Sequence, residues 1–590
     1  MMSRRSWSGI CGSILALGIT TIACASSDRK FAETQPDKIL PSEAGPLDAS
    51  SCEGLVCSRD MKKVLSNCTG DVVEECGKGK GCADGACVDA CTAAEVSKGS
   101  AGCHFWTLPP DEIYGQGSCF AAMVANTWDR PVNVTAAFGE SPLDLSQSIF
   151  TVEMKGTTPT YTKLDGPLPS GEVAVVFLSQ QQAASGDAYF SRCPAGAVGA
   201  YDRDPSYHGT GRTKAFSITT DAPVSAYSIY PYGGASTYFP TATLLLPTSA
   251  WSTNYLAINA WTYISDPSYH VFGYPTLQVV ATEPDTEVRI RPKVDVADGN
   301  GLVGGAAGQL LTWKLGRGEV LQIVQVEELT GSAIESDKPI GMFGGNRCTR
   351  MPSKDFDACD ALQQQIAPIS QWGSSYALVP YHSREGARLE NVPYRLVGAA
   401  SGTVLSYDPA RPLGAPETLD AGQVATFMTD QLVLVRSQDA DHPFYAAHYM
   451  TGANYAKSGT SDGDPDFVNV VPAEQYLDHY VFFADYTYPN STLTLVRRKT
   501  DKGFMPVELD CVGEVGGFAP LGKGGEFEYA WVDLTKNFAS ATGVCGPGRH
   551  EAKSDGPFSL TVWGTGDYAS YGYAGGTGSR PITKVEIPVK

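Results

Sequence analysis

Basic residues are scarce in this chain: 44 Lys and Arg stand against 64 Asp and Glu, a formal charge of −20 with neutral histidines. No run of Lys and Arg supplies the concentrated positive surface that tracks phosphate, which excludes nucleic acid as a partner. Histidine is scarcer still, with eight residues, a poor supply of general bases. The sequence has no Gly-x-Ser-x-Gly on a strand-to-helix elbow, no His-Glu-x-x-His, no Walker loop and no Gly-x-Gly-x-x-Gly between strand and helix. The motifs of hydrolase, zincin, nucleotidase and dinucleotide chemistry are therefore missing, and no cofactor is expected. Beyond the N-terminus no hydrophobic run reaches membrane-spanning length.

What is plentiful points to β-structure. Only 18% of residues are charged, while the chain carries 63 Gly, 38 Pro, 28 Tyr and 22 Phe, a composition suited to short strands and tight turns. Its 590 residues suffice for several domains with apolar cores.

Arg4 and Arg5 precede an apolar stretch from about Gly9 to Ala23, followed by Cys24. These are the parts of a secretory signal over residues 1–23. Thr21-Ile-Ala-Cys24 resembles the bacterial lipobox, with Thr where Leu is usual, and the resemblance implies a lipid on Cys24. Ala25, being other than Asp, implies by the same resemblance transport to the outer membrane. Residues 24–50, polar and rich in Pro, Ser and Asp, read as a solvated tether. The lipid is then the only membrane contact.

Setting aside Cys11 and Cys24 leaves fourteen cysteines, an even number. Cys52, Cys57, Cys68, Cys76, Cys82, Cys87 and Cys91 crowd a stretch too poor in apolar residues for a core, so residues 51–102 read as a disulfide-stapled module. Zinc is the weaker reading, because no Cys-x-x-Cys pair occurs. Cys348 with Cys359 and Cys511 with Cys545 read as local clips. Of Cys103, Cys119 and Cys193, one is expected to join the cluster, and the sequence does not say which.

A short pattern organises the remainder. Asp-x-Pro followed by apolar residues recurs at Asp129, Asp221, Asp337, Asp441 and Asp555, about 90 to 120 residues apart. A second pattern, Pro-x3-aromatic-x3-Tyr, recurs as Pro247/Trp251/Tyr255, Pro368/Trp372/Tyr376 and Pro472/Tyr476/Tyr480. A third, Leu-x-x-Gly-Glu/Gln-Val, begins at Leu168, Leu315 and Leu419, with a looser copy at Leu521. Runs such as Thr276 to Ala281 and Glu287 to Arg291 alternate with period two, as half-buried antiparallel strands do. The expectation is an all-β chain of tandem antiparallel β-sandwich-like repeats of about 100 residues. They cover 103–245, 246–366, 367–470 and 471–590, with a β-propeller-like arrangement as the alternative. The aromatic four residues after each Pro reads as core, with carbohydrate stacking on Trp251 or Trp372 as the lesser reading.

Few residues suggest chemistry. The pentapeptide Asp204-Pro-Ser-Tyr-His208 recurs unchanged at Asp266 to His270. A metal or substrate site from His208 and His270 competes with two Asp-Pro turns in exposed hairpins, and the turns explain the residues without function. Asp462, Asp464 and Asp466 stand at alternate positions, like the start of a calcium loop, with Asp439 and Asp441 of the neighbouring turn as candidate added ligands. Phe467 and Ala473 stand where an EF-hand needs Gly and Glu, so a solvated acidic loop is the expectation and no metal is assigned.

From about Cys103 to Gly578 the sequence resembles the IgGFc-binding protein N-terminal domain, in its extracellular bacterial lipoprotein branch. The resemblance rests on Cys119 to Trp128, Ser336 to Ile340, Asp464 to Pro472, Gly548 to Glu551, Pro557 to Gly564 and Ser570 to Tyr573. It implies an all-β extracellular scaffold for recognition or adhesion, binding an extracellular protein or glycan without catalysis, and it supplies no contact residues. The alternatives are an exported glycan-active hydrolase, which needs facing carboxylates in a cleft, and a purely structural envelope protein. First candidates for contact are the clipped insertion Cys348 to Cys359 and the Gly-, Ser- and Asp-rich loop Thr451 to Asp466.

Overall fold

In the computed structural model, which describes residues 54–58, 60–156, 158–181 and 189–589, alternation in sequence becomes antiparallel strands throughout. A small module comes first. It has a three-stranded sheet (Leu55–Cys57, Lys63–Ser66, Val72–Glu75), a hairpin (Lys80–Ala83, Ala86–Asp89) and one short helix, Ala90–Ser97. Asp89 caps that helix, its carboxylate accepting from the N–H groups of Cys91 and Thr92. The module has few buried apolar side chains, and Cys57–Cys82, Cys76–Cys87 and Cys91–Cys103 staple it and tie it to the body. Cys68 is also disulfide-bonded, whereas Cys24 and Cys52 lie outside the described residues.

The body is built on one device, a long strand shared by two sheets. In the first repeat Phe216–Tyr230 begins between Gly102–Thr107 and Val134–Phe138, where Ile218 opposes Phe105 and Ala136. It ends between Phe120–Ala125 and Thr241–Leu245, where Tyr227 opposes Met123 and Leu244. The change of sheet falls at Asp221-Ala222-Pro223, where the register shifts. Proline has no N–H for a ladder, and the Asp221 carboxylate replaces the lost bonding by accepting from the Asn133 N–H at 2.8 Å.

The second repeat does the same. Ala333–Thr349 crosses between sheets around Asp337-Lys338-Pro339, with Ile334 opposite Tyr255 and Ile290, then Met342 opposite Val279 and Ile366. The Asp337 carboxylate accepts from Glu287 N–H at 2.8 Å. In the fourth repeat the crossing strand is Gly548–Gly566. In the third it is split at Asp441-His-Pro443 into Val433–Arg436 and Phe444–Met450. Asp129-Arg-Pro131 is different: it lies between the strands Phe120–Ala125 and Val134–Phe138 and crosses nothing. It shares the turn chemistry of the other four without their long strand.

Each repeat is thus a two-layer sandwich, and the four close into a ring. The inner strands Thr241–Leu245, Asp360–Ile366, Asp466–Asn469 and Ala569–Ala574 pack each on the next, and the last packs back on the first. Sandwich and propeller-like arrangements, alternatives in the sequence, are combined here: sandwiches are the units and the ring is their assembly. Polar side chains bridge the inner strands. Gln364 Nε2 donates to Ala242 O at 2.7 Å and to Gly572 O at 3.1 Å, and Asn469 Nδ2 donates to Gln365 O at 2.9 Å. At the start of the ring and its closure, Tyr227 Oη donates to Val481 O and Gly575 O.

Candidate functional site

Every crossing strand runs to the same end of the ring, turns, and returns as an inner strand. Residues 231–240, 350–359, 451–465 and 567–568 are therefore gathered at one end. The two insertions singled out in the sequence meet there. Phe356 and Tyr455 stack edge to face with centroids 4.9 Å apart, and Gly452 N–H donates to Met351 O at 3.0 Å. Cys348–Cys359 closes the first of these loops, and its sulfurs pack with Val271 and against Ile113 and Tyr114. The second loop is bound to the turn of the fourth repeat by Tyr568 N–H to Ser461 O and Gly463 N–H to Gly566 O, both 2.7 Å.

A buried cation fastens this loop from below. Arg384, its side chain 3% exposed, pairs with the equally buried Glu390 at 2.7 Å and donates to Thr451 Oγ1 at 2.8 Å and Asp462 O at 2.9 Å. Arg384 and Glu390 stand six residues apart in an ordinary stretch, and the loop groups that Arg384 holds lie 67 and 78 residues further on, so no local sequence signature marks the pair.

Beneath the loops the three candidate aspartates separate. Asp462 is held by Asn490 Nδ2 at 3.0 Å. Asp464 and Asp466 turn to the hub of the ring, where they are fully buried and joined by Asp360. Burial raises all three carboxyls well above the usual range, and for Asp360 the neighbouring Asp464 and Asp466 add to it. Asp360 was missed in the sequence, although a repeat-by-repeat alignment carries the signal: it opens its inner strand as Asp466 opens the next. Asp439 stays apart, engaged by His442 Nδ1 at 2.6 Å and Asp441 N–H at 2.9 Å.

The two pentapeptides also reach the loop end, by different bonds. His208 lies between Asp111 (Nδ1, 2.8 Å) and Asp204 (Nε2, 3.0 Å), and Arg347 Nε lies 3.3 Å from Asp111. Burial alone would lower the His208 pKa, but these carboxylate bonds outweigh it and carry it to about 10. Beside it Glu112 is sealed in, and burial pushes its carboxyl up to about 8 while Tyr230 Oη donates to it at 2.9 Å. In the second copy Asp266 pairs with Arg350 at 2.8 Å, and no described bond joins His270 to His208. Arg350, just past the end of one crossing strand, thus holds the second pentapeptide directly, while Arg347 on the same strand reaches the first only through Asp111.

The remaining candidates are structural. Trp251 and Trp372 are buried, their indole N–H groups donating to Leu246 O and Ala367 O at 3.0 Å, so carbohydrate stacking is not available to them. Cys119 pairs with Cys193, Cys511 with Cys545, and Cys103 is the residue that joins the cluster, through Cys91. Asp510, Cys511 and His550 stand close enough for a metal, but Cys511 is in a disulfide and His550 Nε2 lies 2.6 Å from Gly546 O. At the far end of the ring a cavity of about 60 Å³ lies among Leu244, Gln365, Trp372, Tyr376 and Tyr445. It has room for a few waters, and no carboxylate lines it.

A rigid all-β ring with its loops gathered at one end is the construction of a recognition scaffold. The comparison with known families agrees: residues 241–564 match the family described as IgGFc binding protein. The match covers more than half of the chain, so the chain belongs to that family. It is narrower than the resemblance from Cys103 to Gly578, running from the first inner strand into the last crossing strand. No curated protein matches the chain. Among the described residues no helix is long and apolar enough to cross a membrane.

Proposed function

We propose that this chain is an exported bacterial lipoprotein of the IgGFc-binding family, in the extracellular branch, held to the outer membrane or cell surface through Cys24. It binds a protein on another surface without changing it chemically. The observation that carries the reading is the convergence of the loops on one end of a disulfide-clipped ring, with Phe356 and Tyr455 locking the loops of the second and third repeats together. A protein ligand is favoured by the family description, and the loops are the contact surface.

The test is capture of immunoglobulin Fc, serum proteins and envelope glycans by the immobilised chain, repeated after replacing residues 353–357 or 453–460 with Gly-Ser linkers. Loss of capture with an unchanged melting profile supports the assignment. Unchanged capture by both variants moves the contact elsewhere, glycan as the sole ligand replaces the protein partner, and turnover of glycan or peptide substrates overturns the binding reading.

A further inference from the structure

At the end of the ring opposite the loops, all four repeats contribute to the cavity of about 60 Å³. Leu244 and Gln365 come from the first two inner strands, Val470 directly follows the third, and Ala574 ends the fourth. No Asp, Glu, Lys, Arg or His stands in its wall. Two buried side-chain amides of that wall are each half used. Gln365, 3% exposed, accepts from Leu246 N–H at 2.7 Å through Oε1, and its Nε2 has no partner. Gln371, 5% exposed, donates from Nε2 to Ala250 O at 2.5 Å, and its Oε1 has no partner. The tied half of each amide fixes which atom is left over, so the wall holds one idle donor and one idle acceptor.

The other buried polar groups of the wall are spent. Trp372 Nε1 donates to Ala367 O at 3.0 Å, Tyr376 Oη to Phe444 O and Tyr445 Oη to Asn469 Oδ1, both at 2.5 Å. Gln364 gives its Nε2 to two backbone carbonyls and its Oε1 to the Thr243 hydroxyl. What remains is apolar, from Leu244, Leu246, Ala574 and the ring of Trp372. Buried amide atoms ordinarily find partners. Apolar walls with a small number of placed polar groups are the construction of a ligand site.

We propose that this cavity binds the neutral acetamido group (NH–CO–CH3) of a small ligand, its carbonyl accepting from Gln365 Nε2, its N–H donating to Gln371 Oε1 and its methyl lying on the apolar wall. An amide presents one acceptor and one donor, the complement of what the wall leaves idle. A carboxylate or an ammonium would be buried there without a counter-charge, so acetate and free amines are excluded. Size agrees: at roughly 10–15 Å³ for each water-sized atom the cavity takes about four to six of them, and the acetamido group has four non-hydrogen atoms. It is far smaller than the roughly 300–1,000 Å³ of a site that encloses a whole ligand. The remainder of the molecule, an amino sugar or an acylated amine, therefore stays outside, on the side of the half-buried Val470, Val471 and Thr577. This site is separate from the loop surface and does not rest on it.

The purified chain is titrated with N-methylacetamide and with methyl acetate, the ester of the same shape that lacks the N–H, by saturation-transfer NMR of the acetyl methyl. The expected result is saturable binding of the amide, weak as so small a probe must be. The ester should bind at least about tenfold more weakly, because it leaves Gln371 Oε1 unpaired. Gln365→Met, which removes the idle donor, should weaken the amide at least about tenfold, and Ala574→Val, which fills the cavity, should abolish binding. If Gln365→Met fails to fold, the ester comparison on the wild type and Ala574→Val decide. N-acetylglucosamine and Nε-acetyl-lysine are then added as competitors, and displacement of the amide by either supports the site and identifies the carrier. The proposal is overturned if the amide shows no saturable binding, which leaves a cavity for water only, if the ester binds as well as the amide, if the variants bind as the wild type does, or if neither carrier displaces the probe.

Discussion

The Tyr255 hydroxyl donates to Ile340 O at 2.6 Å and accepts from Ser252 N–H at 3.3 Å. The two recurring sequence patterns are therefore physically clasped, the Tyr of one to the residue that follows the Pro of the other. The clasp repeats as Tyr376 to Phe444 O with Gly373 N–H, and as Tyr480 to Phe558 O with Leu477 N–H. In the first repeat Phe105 occupies the corresponding place beside the crossing strand and has no hydroxyl to give. Tyr376→Phe leaves a buried carbonyl and a buried N–H unpaired, and the expected loss is about 1–3 kcal/mol by urea unfolding. A loss below about 0.5 kcal/mol would show the clasp to be incidental.

Both halves of that clasp were visible in the sequence, but their contact was not. Tyr255 and Ile340 are 85 residues apart, and nothing local records which distant carbonyl a tyrosine will meet. Strand character was legible because alternation is a local property. Ring closure was not, since sandwiches and propellers bury alternate residues in the same way. Asp129 misled for a related reason: a turn signal is identical whether or not a crossing strand follows. The loops were legible as Gly- and Asp-rich insertions, whereas Asp360 faces Asp464 and Asp466 of another repeat, and Arg384 and Glu112 meet Thr451 and Tyr230 67 and 118 residues away within their own repeats.

Stability should fall above neutral pH. Glu112 ionises at about 4.5 when unfolded and at about 8 when buried in the fold, so the folded state holds the extra proton between those values and loses stability as pH rises through them. His208, raised from 6.5 to about 10, contributes stability that is complete below 6.5 and lost as pH rises through 10. His448 acts oppositely. Burial lowers it to about 3, so its contribution is lost as pH falls from 6.5. The Glu112 and His448 slopes oppose each other between about 4.5 and 6.5, and the decline is steepest from about 6.5 to 8, where Glu112 and His208 act together. Urea midpoints at pH 5, 7 and 8.5 measure this, and Glu112→Gln should flatten the decline between pH 7 and 8.5. An equally steep fall in that variant would exclude Glu112 as its source.

Lipid attachment is a separate prediction, resting on the position of Cys24 directly after an apolar segment that ends in Ala23. Cys24→Ser should move the protein from the detergent phase to the soluble fraction of expressing cells. Detergent partitioning equal to that of the wild type would rule out Cys24 as the anchor.

The last prediction concerns the buried pair that fastens the loop. Arg384→Met leaves Glu390, 3% exposed, as an uncompensated carboxylate and also strips Thr451 Oγ1 and Asp462 O of a donor. The expected loss is about 3–5 kcal/mol, with faster amide exchange over residues 451–465. Adding Glu390→Gln removes the stranded charge while keeping an oxygen to accept from Tyr381 Oη, which now donates to Glu390 at 2.7 Å. The double variant should therefore be more stable than Arg384→Met alone, even though it carries one more substitution. Measured by chemical denaturation in a double-mutant cycle, a double variant at or below the stability of Arg384→Met would show that Arg384 acts through the loop contacts and not through Glu390.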